Sequence, residues 1–418
     1  MLRALVTLCI IAVSCLPHIV QAGGFAIPPQ GARATAFGLA YGPIAEDLTA
    51  AYHNPAGLAE QRGTRVYLGA HTGKARIDLT MPGEDKVGLE KDILYYPFIG
   101  VSTDFNSQRF TTAFSVYAPF GAMVTYPDDG PQKNIAQKIQ LVTYNFTGSL
   151  ACKVTDKLSL GAGLSYVYAS AMLRVVYNIE FLPGILLHLP IEMNASDSAA
   201  LGFNAGALYH LTDKLHLSCT YTSRVTGDLT GDVDIVEPIP GIPIEKFDID
   251  SLEVSTPDVY RVGACYEFSD RFRMSAEVYY WDWSILDAFV VKVSGIPDEF
   301  AQLGFETIVF PKDFSDSYSY GLGSQYRFTR RSSVTLGAFY DTTPIPDHTN
   351  DLVIPDSDKL GVVLGYLYDS DSINASIVLA NGFYDDRNIT NSIMTSAPTN
   401  GLYEYGIFLI MGDITYTF

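Results

Sequence analysis

The chain has 418 residues with a formal charge of −19, and only 17% of them are charged, whereas 48% are hydrophobic and 12% aromatic. Soluble domains carry about 25% charged residues, so this composition disfavours an ordinary cytosolic enzyme, and its apolar content excludes a disordered chain. The acidic balance excludes a protein that binds nucleic acid through its phosphates, because that binding demands a basic face.

The first 22 residues have the pattern of a secretory signal. Arg3 supplies a positive charge, an apolar run follows from Ala4 to Leu16, and Val20-Gln21-Ala22 has short residues where cleavage would occur. The run is too short to cross a bilayer as a helix, which takes about 20 residues. We therefore predict a signal peptide over 1–22 and a mature start at Gly23.

The next stretch, residues 23–62, shows no strand alternation and is rich in Gly and Ala. It contains Asn54-Pro55-Ala56-Gly57 and precedes the first strand. It is long enough to fold inside a barrel, and we name it the hatch segment. We predict that it plugs the lumen of a barrel formed by residues 63–418.

Alternating rows recur through the rest of the chain. An apolar row that ends in aromatic residues faces a row of small polar residues, as in Tyr318, Tyr320, Leu322, Tyr326 and Phe328 against Ser317, Ser319, Gly321, Gly323 and Gln325. Outer-membrane barrels have this pattern, with apolar residues toward lipid, polar residues toward the lumen and aromatic girdles at both interfaces. The alternation predicts an all-β transmembrane barrel.

The number of strands follows from counting the short turns and the long loops that connect them. Three near-identical short turns centre on Asp156, Asp213 and Asp270, each 57 residues from the next. The six predicted short turns also include 106–108, 329–331 and 369–371, and the seven predicted long loops cover 79–92, 119–137, 178–197, 234–256, 295–314, 342–358 and 384–402. Fourteen antiparallel strands result, an even number as bacterial barrels require. The sheet must close, since an open edge would leave unpaired backbone groups in lipid.

Several ordered motifs resemble the long-chain fatty acid and hydrocarbon transporters of the FadL/TodX family, over nearly the whole mature chain. The segments that carry the resemblance are Gly24-Phe25, Asn54-Pro55-Ala56, Tyr117-Ala118-Pro119-Phe120-Gly121, Trp281-Asp282-Trp283-Ser284 and Asp341-Thr342-Thr343-Pro344-Ile345-Pro346. The resemblance implies a fourteen-stranded barrel with an N-terminal hatch in the bacterial outer membrane. It also implies uptake of hydrophobic molecules by passive diffusion with a lateral exit, and gating at Phe25, Asn54, Pro55, Ala56, Pro119 and Gly121.

The third strand offers a place for that exit. Pro119 cannot donate to a sheet ladder, and Gly121 contributes no side chain. Two interpretations stay open here: a break in the wall, or a strand that simply ends at its loop.

A long apolar stretch within residues 178–194 is the candidate capture site. Its candidate substrate contacts are Phe181, Leu182, Ile185, Leu186 and Leu187. So much apolar surface in an exposed loop needs a partner. That partner is either a hydrophobic substrate or the next long loop.

A carboxylate substrate would need a cation in the lumen, and Arg224, Arg261 and Lys292 are the candidates. Parity turns Arg224 inward with room beside it, although lumen solvation or a loop ion pair would also explain it. Arg261 also points inward, where Glu277 is the expected neighbour. Arg174 falls on the outer row.

We expect no cofactor, no metal and no enzymatic activity, since the chain lacks the common catalytic motifs. His210 and His216 flank one turn without an evident third ligand, and the aspartates of 342–358 match no calcium loop. Cys152, Cys219 and Cys265 lack zinc or redox spacing.

The expected partners are a hydrophobic small molecule, outer-membrane lipid and lipopolysaccharide, and the barrel-assembly machinery through the terminal Phe418. We expect a monomer that binds no nucleic acid. The alternative functions are a general diffusion porin, or a surface receptor without a hydrophobic pocket. The missing catalytic motifs disfavour an outer-membrane hydrolase.

Overall fold

The computed structural model describes residues 23–182, 185–236, 246–296, 306–393 and 399–418, and of strand residues 178–182, 185–187, 198 and 199 it describes the backbone only. Strands dominate this part of the chain. No described helix is both long enough and apolar enough to cross a membrane.

The hatch segment holds the few helical turns near the start of the chain: α1 (Ala32–Ala36), α2 (Ala50–His53) and a 3-10 helix over Pro55–Glu60. Asn54 caps the 3-10 helix, because its side-chain oxygen accepts a hydrogen bond from the amide of Ala56 at 3.1 Å. Pro55 fits the first helical position, where a missing N–H costs nothing. Nearly every residue of this segment from 23 to 59 is buried.

In the described part of the chain, the barrel wall is built from twenty strand pieces. They are β1 (Thr64–Thr80), β2 (Ile93–Thr103), β3 (Phe110–Tyr117), β4 (Gly121–Thr125), β5 (Ala136–Lys153), β6 (Leu158–Leu182), β7 (Ile185–His210), β8 (Leu215–Thr222), β9 (Val225–Ile235), β10 (Lys246–Thr256), β11 (Val259–Ser269), β12 (Phe272–Trp281), β13 (Ala288–Ser294), β14 (Thr307–Pro311), β15 (Ser317–Arg327), β16 (Ser332–Asp341), β17 (Lys359–Asp369), β18 (Ile373–Tyr384), β19 (Arg387–Ile389) and β20 (Gly401–Thr417). Short 3-10 helices lie at Trp283–Ile285 and Asp347–Thr349.

These pieces form fourteen passes of a closed antiparallel barrel, as predicted. Five passes are each split into two strands, namely β3/β4, β8/β9, β10/β11, β12/β13 and β14/β15, and β19 is a short piece in the last long connection. Closure comes from β1, which pairs with β2 on one side and with β20 on the other. No sheet edge is therefore left where the first and last passes meet.

The two faces of the wall follow the predicted alternation. In β15 the apolar row is exposed, with Tyr318, Tyr320 and Leu322 at 43–50%. The polar row between them is buried, as Ser317 and Ser319 show. In the last strand the outer row is exposed through Tyr416, and the terminal Phe418 continues it.

Two predicted loops are wrong in part. Residues 246–256 of the predicted loop 234–256 form strand β10, and the other loop is 178–197. Residues 178–197 belong mostly to a long hairpin of β6 and β7, whose pairing continues as far as Leu182 and Ile185. Strands of 25 and 26 residues exceed the 9–11 that a membrane crossing needs. The β-branched and apolar residues that suggested a greasy loop instead extend two strands beyond the bilayer, and Leu189 and Ile191 are fully buried.

The hatch segment contacts passes that stand across the barrel from each other. Its helix α1 packs on β16, β17, β18 and β20, whereas the 3-10 helix packs on β3, β5, β6 and β7. Ion pairs reinforce the contact: Arg33 lies 2.5 Å from Asp369, and Glu46 lies 2.8 Å from Arg273.

Candidate functional site

An apolar cavity of about 410 Å³ lies between the strand ends nearest the long connections and the connection 342–358, and we name it the upper cavity. Every described lining residue is apolar; the set is Ile139, Leu141, Ala171, Leu173, Met193, Leu252, Val254, Phe289, Val291, Phe310, Val353 and Ile354. Most come in pairs two positions apart, because alternate strand residues face one side. This apolar lining suits a small hydrophobic molecule.

Along a single strand, the residues of the inward row change from apolar to polar. In β5, Ile139 and Leu141 line the upper cavity, whereas Thr143, Thr147 and Ser149 continue the same row further down and are also buried. The sequence analysis missed this cavity because it assigned polar residues to the inside throughout. The sequence does contain the information, because counting every second residue of β5 from Ser149 leads to Ile139 on the same inward row.

The connection 342–358 covers the upper cavity, and its acidic residues are already engaged. Three of them form ion pairs with the following N–O distances: Lys312–Asp351 (2.6 Å), Lys359–Asp356 (3.0 Å) and Arg387–Asp347 (2.5 Å). The fourth, Asp358, accepts hydrogen bonds from the Tyr340 hydroxyl at 3.0 Å and the Thr343 amide at 2.8 Å. In the described residues no group of three potential metal ligands occurs.

A second cavity of about 450 Å³, the lower cavity, lies between the hatch segment and the wall. Its lining residues come from several passes: Tyr52, Tyr117, Pro119, Phe120, Asn145, Ser165, Gly202, Phe203, Asn204, Thr222, Ser223, Val225, Thr256, Val259, Arg261 and Trp281. This cavity is more polar than the upper one, and it reaches the interrupted third pass.

Arg261 lines the lower cavity and faces inward, as parity predicted. Its guanidinium lies 5.0 Å from the ring centre of Tyr52 and 5.1 Å from that of Tyr279, and it donates to the Thr222 hydroxyl at 3.1 Å. Cation–π contacts of this kind hold an arginine in place. The expected neighbour Glu277 forms no ion pair with it and instead accepts the Gly42 amide at 2.7 Å.

The wall is interrupted between the second and third passes. Strand β3 ends at Tyr117 and β4 begins at Gly121, where they pair with Asn145 and Val142 of β5. Three residues thus stand opposite two, which is a bulge. On the other side β2 pairs with β3 over residues 98–103 only, so residues 93–97 make no ladder with β4.

The hatch segment occupies the edge left by this break. The Gln30 side-chain amide donates to the carbonyl of Ala118 at 2.8 Å, and the Ile27 amide donates to that of Pro119 at 2.8 Å. Ala26 forms an isolated bridge with Phe120. Backbone groups freed by the break therefore find partners in the hatch segment rather than in the wall.

Phe25 stands between the two cavities. Its ring centre lies 4.8 Å from Trp283, 5.9 Å from Phe120 of the lower cavity and 6.4 Å from Phe289 of the upper cavity. The preceding amide, that of Gly24, donates to Asp356 at 3.0 Å. The start of the hatch segment is thereby tied to the wall break and to the connection 342–358.

Asn54 fastens the other end of the hatch segment. Its side-chain nitrogen donates to the carbonyls of Gly42 at 2.9 Å and Ala207 at 3.2 Å. The second bond reaches β7 in the wall. Pro55 and Ala56 follow it and pack closely against Gly161 of β6.

Arg224 is not the free lumen cation that parity suggested. It is 48% exposed and pairs with Asp258 at 2.7 Å and Asp282 at 3.1 Å. The prediction was wrong because β8 ends at Thr222, so alternation does not continue through Ser223 to Arg224. The structure instead has the ion pair that the sequence analysis gave as an alternative role for Arg224.

Lys292 is also misplaced by the sequence analysis. It is exposed, whereas its neighbours Val291 and Val293 are buried, so Lys292 points away from the lumen. Arg174 is half-buried beside the inward Val175, in keeping with its predicted outer row. The proposed contacts Phe181, Leu182, Ile185, Leu186 and Leu187 lie in the β6–β7 hairpin, where their side chains are outside the described part.

His210 and His216 are adjacent, as expected from their turn, with ring centres 4.2 Å apart. His210 also contacts Glu60 of the hatch segment at 2.6 Å. These groups join the base of the hatch segment to the wall.

Comparisons with known proteins agree with this architecture. Residues 13–384 match the family model described as outer membrane protein transport protein (OMPP1/FadL/TodX). The chain is 24% identical over 346 residues to the 47 kDa outer membrane protein of Pasteurella multocida, covering 78% of each chain. It is 23% identical to outer membrane protein P1 of Haemophilus influenzae, over 63% of this chain and 60% of that one.

Solved structures show the same fold. A Pseudomonas aeruginosa FadL homologue superposes with a TM-score of 0.81 at 19% identity, over 94% of this chain and 100% of that one. The toluene transporter TodX of P. putida gives a TM-score of 0.68 at 15% identity, over 89% and 94%. The chain belongs to the outer membrane protein transport family of FadL and TodX.

Proposed function

We propose that this outer-membrane protein carries hydrophobic molecules inward by passive diffusion through a plugged barrel with a lateral exit. Family and fold make it a transporter of hydrophobic compounds rather than an enzyme. The single observation that carries the finer proposal is the wall break beside β4, whose backbone partners belong to the hatch segment.

The route begins in the upper cavity, where burial of apolar surface contributes about 25 cal/mol per Å². Phe25 separates this cavity from the lower one, so the start of the hatch segment has to shift for a molecule to pass. A shift of Phe25 and Ile27 breaks two of the hydrogen bonds at the wall break, from the Gly121 amide to the Phe25 carbonyl and from the Ile27 amide to the Pro119 carbonyl. The same movement would therefore open the passage and the side exit.

A lateral exit suits a hydrophobic solute. The gap lies between residues 93–97 and β4, within the wall that faces lipid, and the outer surface on both sides is apolar. A solute that leaves there stays in a hydrophobic environment and avoids the periplasmic water. Transfer down a concentration gradient then needs no energy source.

The hatch segment gives the barrel its selectivity. Because its residues are buried and contact opposite walls, we propose that it blocks polar solutes while the cavities admit apolar ones. A general diffusion porin would instead need an open polar lumen. Arg261 is the sequence-predicted cation that remains on the route, at the lower cavity.

We further propose removal of residues 1–22 on export, function as a monomer, and recognition by the barrel-assembly machinery through Phe418. The terminal ring is 62% exposed, and its amide donates to Thr64 of the first strand at 2.9 Å. The last residue therefore lies at the seam where the barrel closes.

Uptake by cells tests the proposal. A bacterial host without its own family member would express the protein, and entry of radiolabelled butylbenzene and of oleate would be measured against an empty-vector strain. Faster entry of at least one of them supports the proposal. Equal rates, with the protein present in the outer membrane, would refute it.

A further inference from the structure

The pair Lys312–Asp351 lies directly behind the wall of the upper cavity. The lysine ammonium is 5.6 Å from the ring centre of Phe289, which lines the cavity. Asp351 accepts the amides of Val353 and Ile354, two further lining residues, at 2.9 Å each. The Lys312 ammonium is thus close enough to reach a molecule bound in the upper cavity, but it is already paired with Asp351.

Asp351 forms a buried ion pair with that cation. The two charged groups are 2.6 Å apart, and their side chains are 1% and 3% exposed. A buried charge separated from its partner is strongly disfavoured. A carboxylate in the upper cavity could bind Lys312 only by displacing an aspartate that two backbone amides hold in place.

The other cations under the connection 342–358 are equally engaged. Lys359 donates to Asp356 and to the carbonyl of Ser357, and Arg387 spreads its donors over Asp347, Asn350 and the carbonyls of Ile345 and Asp356. The stretches beyond residue 22 whose side chains are not described contain no Lys, Arg or His. Those stretches therefore add no cation to the ones that the structure describes.

We infer that the upper cavity selects uncharged hydrophobic molecules and rejects carboxylates, and that Asp351 sets this specificity by occupying Lys312. The inference rests on the proposed transport function and narrows its substrate class to hydrocarbons and similar neutral compounds. The acidic excess of the chain, 46 acidic against 27 basic residues, works in the same direction by repelling anions.

A matched ligand pair tests the inference. Butylbenzene and 4-butylbenzoate differ by one carboxylate, which is ionised at pH 8. Their binding to the full mature protein, reconstituted in nanodiscs, would be measured by competition with a fluorescent apolar probe. We expect butylbenzene to bind at least about thirtyfold more tightly than 4-butylbenzoate, because the cavity offers an ion no partner.

Asp351→Asn then frees the lysine. The variant should bind 4-butylbenzoate at least about tenfold more tightly than the unsubstituted protein does, with butylbenzene within about threefold. The double variant Lys312→Met with Asp351→Asn should lose that gain and keep butylbenzene. Asp282→Asn, which removes one partner of the exposed Arg224 and does not line the upper cavity, is the control and should change neither ligand.

The outcomes separate the two claims. Equal binding of both ligands by the unsubstituted protein would overturn this inference and leave the transport proposal standing, and so would a carboxylate preference that depends on Arg261. No binding of either ligand would also overturn this inference, whereas the uptake of butylbenzene and oleate decides the transport proposal. If Asp351→Asn does not reach the outer membrane, the discrimination by the unsubstituted protein and the double variant still decides.

Discussion

The amide of Gly121 donates a hydrogen bond of 2.7 Å to the carbonyl of Phe25. This bond joins the first residue after the wall break to the ring that separates the two cavities. One movement of the hatch segment therefore alters both the inner passage and the wall, and this coupling organises the predictions below.

The fit of Asn54-Pro55-Ala56 against the wall depends on glycine. A Cβ on Gly161 would overlap backbone atoms of Pro55 and Ala56, which cannot move aside easily. We expect Gly161→Ala to loosen the hatch segment and to raise ion conductance in planar bilayers severalfold. Gly148→Ala is the control, since a Cβ there meets nothing within 4 Å. Equal conductance of the two variants would contradict the proposed seating.

Phe25 is fully buried among aromatic rings. Phe25→Ala removes that packing, which in protein cores costs about 3–5 kcal/mol. The start of the hatch segment should then become sensitive to added protease in intact barrels. Phe383→Ala, at an outward residue that is 59% exposed, should leave protease resistance unchanged, and similar cleavage of both variants would argue against a role for Phe25 in closure.

Asp47 makes the hatch segment sensitive to pH. Burial, together with the nearby Asp413 carboxylate, raises the pKa of Asp47 from 3.8 to about 7. The folded hatch segment therefore binds this proton more tightly than the unfolded one, and the stability it contributes below pH 4 is lost as pH rises to 7.

Asp47→Asn removes that loss. The variant should resist protease more than the unsubstituted protein at pH 8, and the difference should vanish near pH 4. Burial lowers the pKa of His53 to about 3, so His53 changes the stability with pH in the opposite direction. Both proteins contain His53, so its contribution cancels when the two are compared. A difference that does not change with pH would show that Asp47 is not the titrating group.

Arg224 serves the outer rim rather than substrate binding. Because it is 48% exposed, its pairs with Asp258 and Asp282 contribute about 1 kcal/mol or less. Arg224→Ala should leave the binding of butylbenzene and 4-butylbenzoate unchanged and lower thermal stability only slightly. A selective loss of 4-butylbenzoate binding would show that Arg224 does bind the carboxylate, as the strand alternation suggested.

The wall could be predicted from sequence because it follows one rule. Strand residues alternate, so the rows around Tyr318 and Ser319 indicated which face meets lipid, and the six short turns with the seven long connections predicted the strand count. The closed fourteen-pass barrel needed nothing further. The family resemblance supplied the order of the remaining motifs.

The site could be predicted only in part, because parity fails where a strand is interrupted. Arg261 lies within an unbroken strand and was placed correctly, whereas Arg224 follows the end of β8 and was not. The upper cavity went unseen because polar residues were expected along the whole inward row, whereas that row is apolar near the long connections. The engagement of Lys312 by Asp351 also depends on a tertiary contact that no local pattern records.

Deletion of Pro119 tests the central claim most directly. It leaves two residues between Tyr117 and Gly121, opposite the two that separate Asn145 from Val142, so β3 and β4 can join as one regular strand and close the wall. Butylbenzene uptake would be measured in cells with equal amounts of this variant, the unsubstituted protein and Gly148→Ala. Our account predicts that uptake falls to the empty-vector rate in the deletion alone, with ligand binding retained. Uptake by the deletion at the unsubstituted rate would contradict a lateral exit through this break.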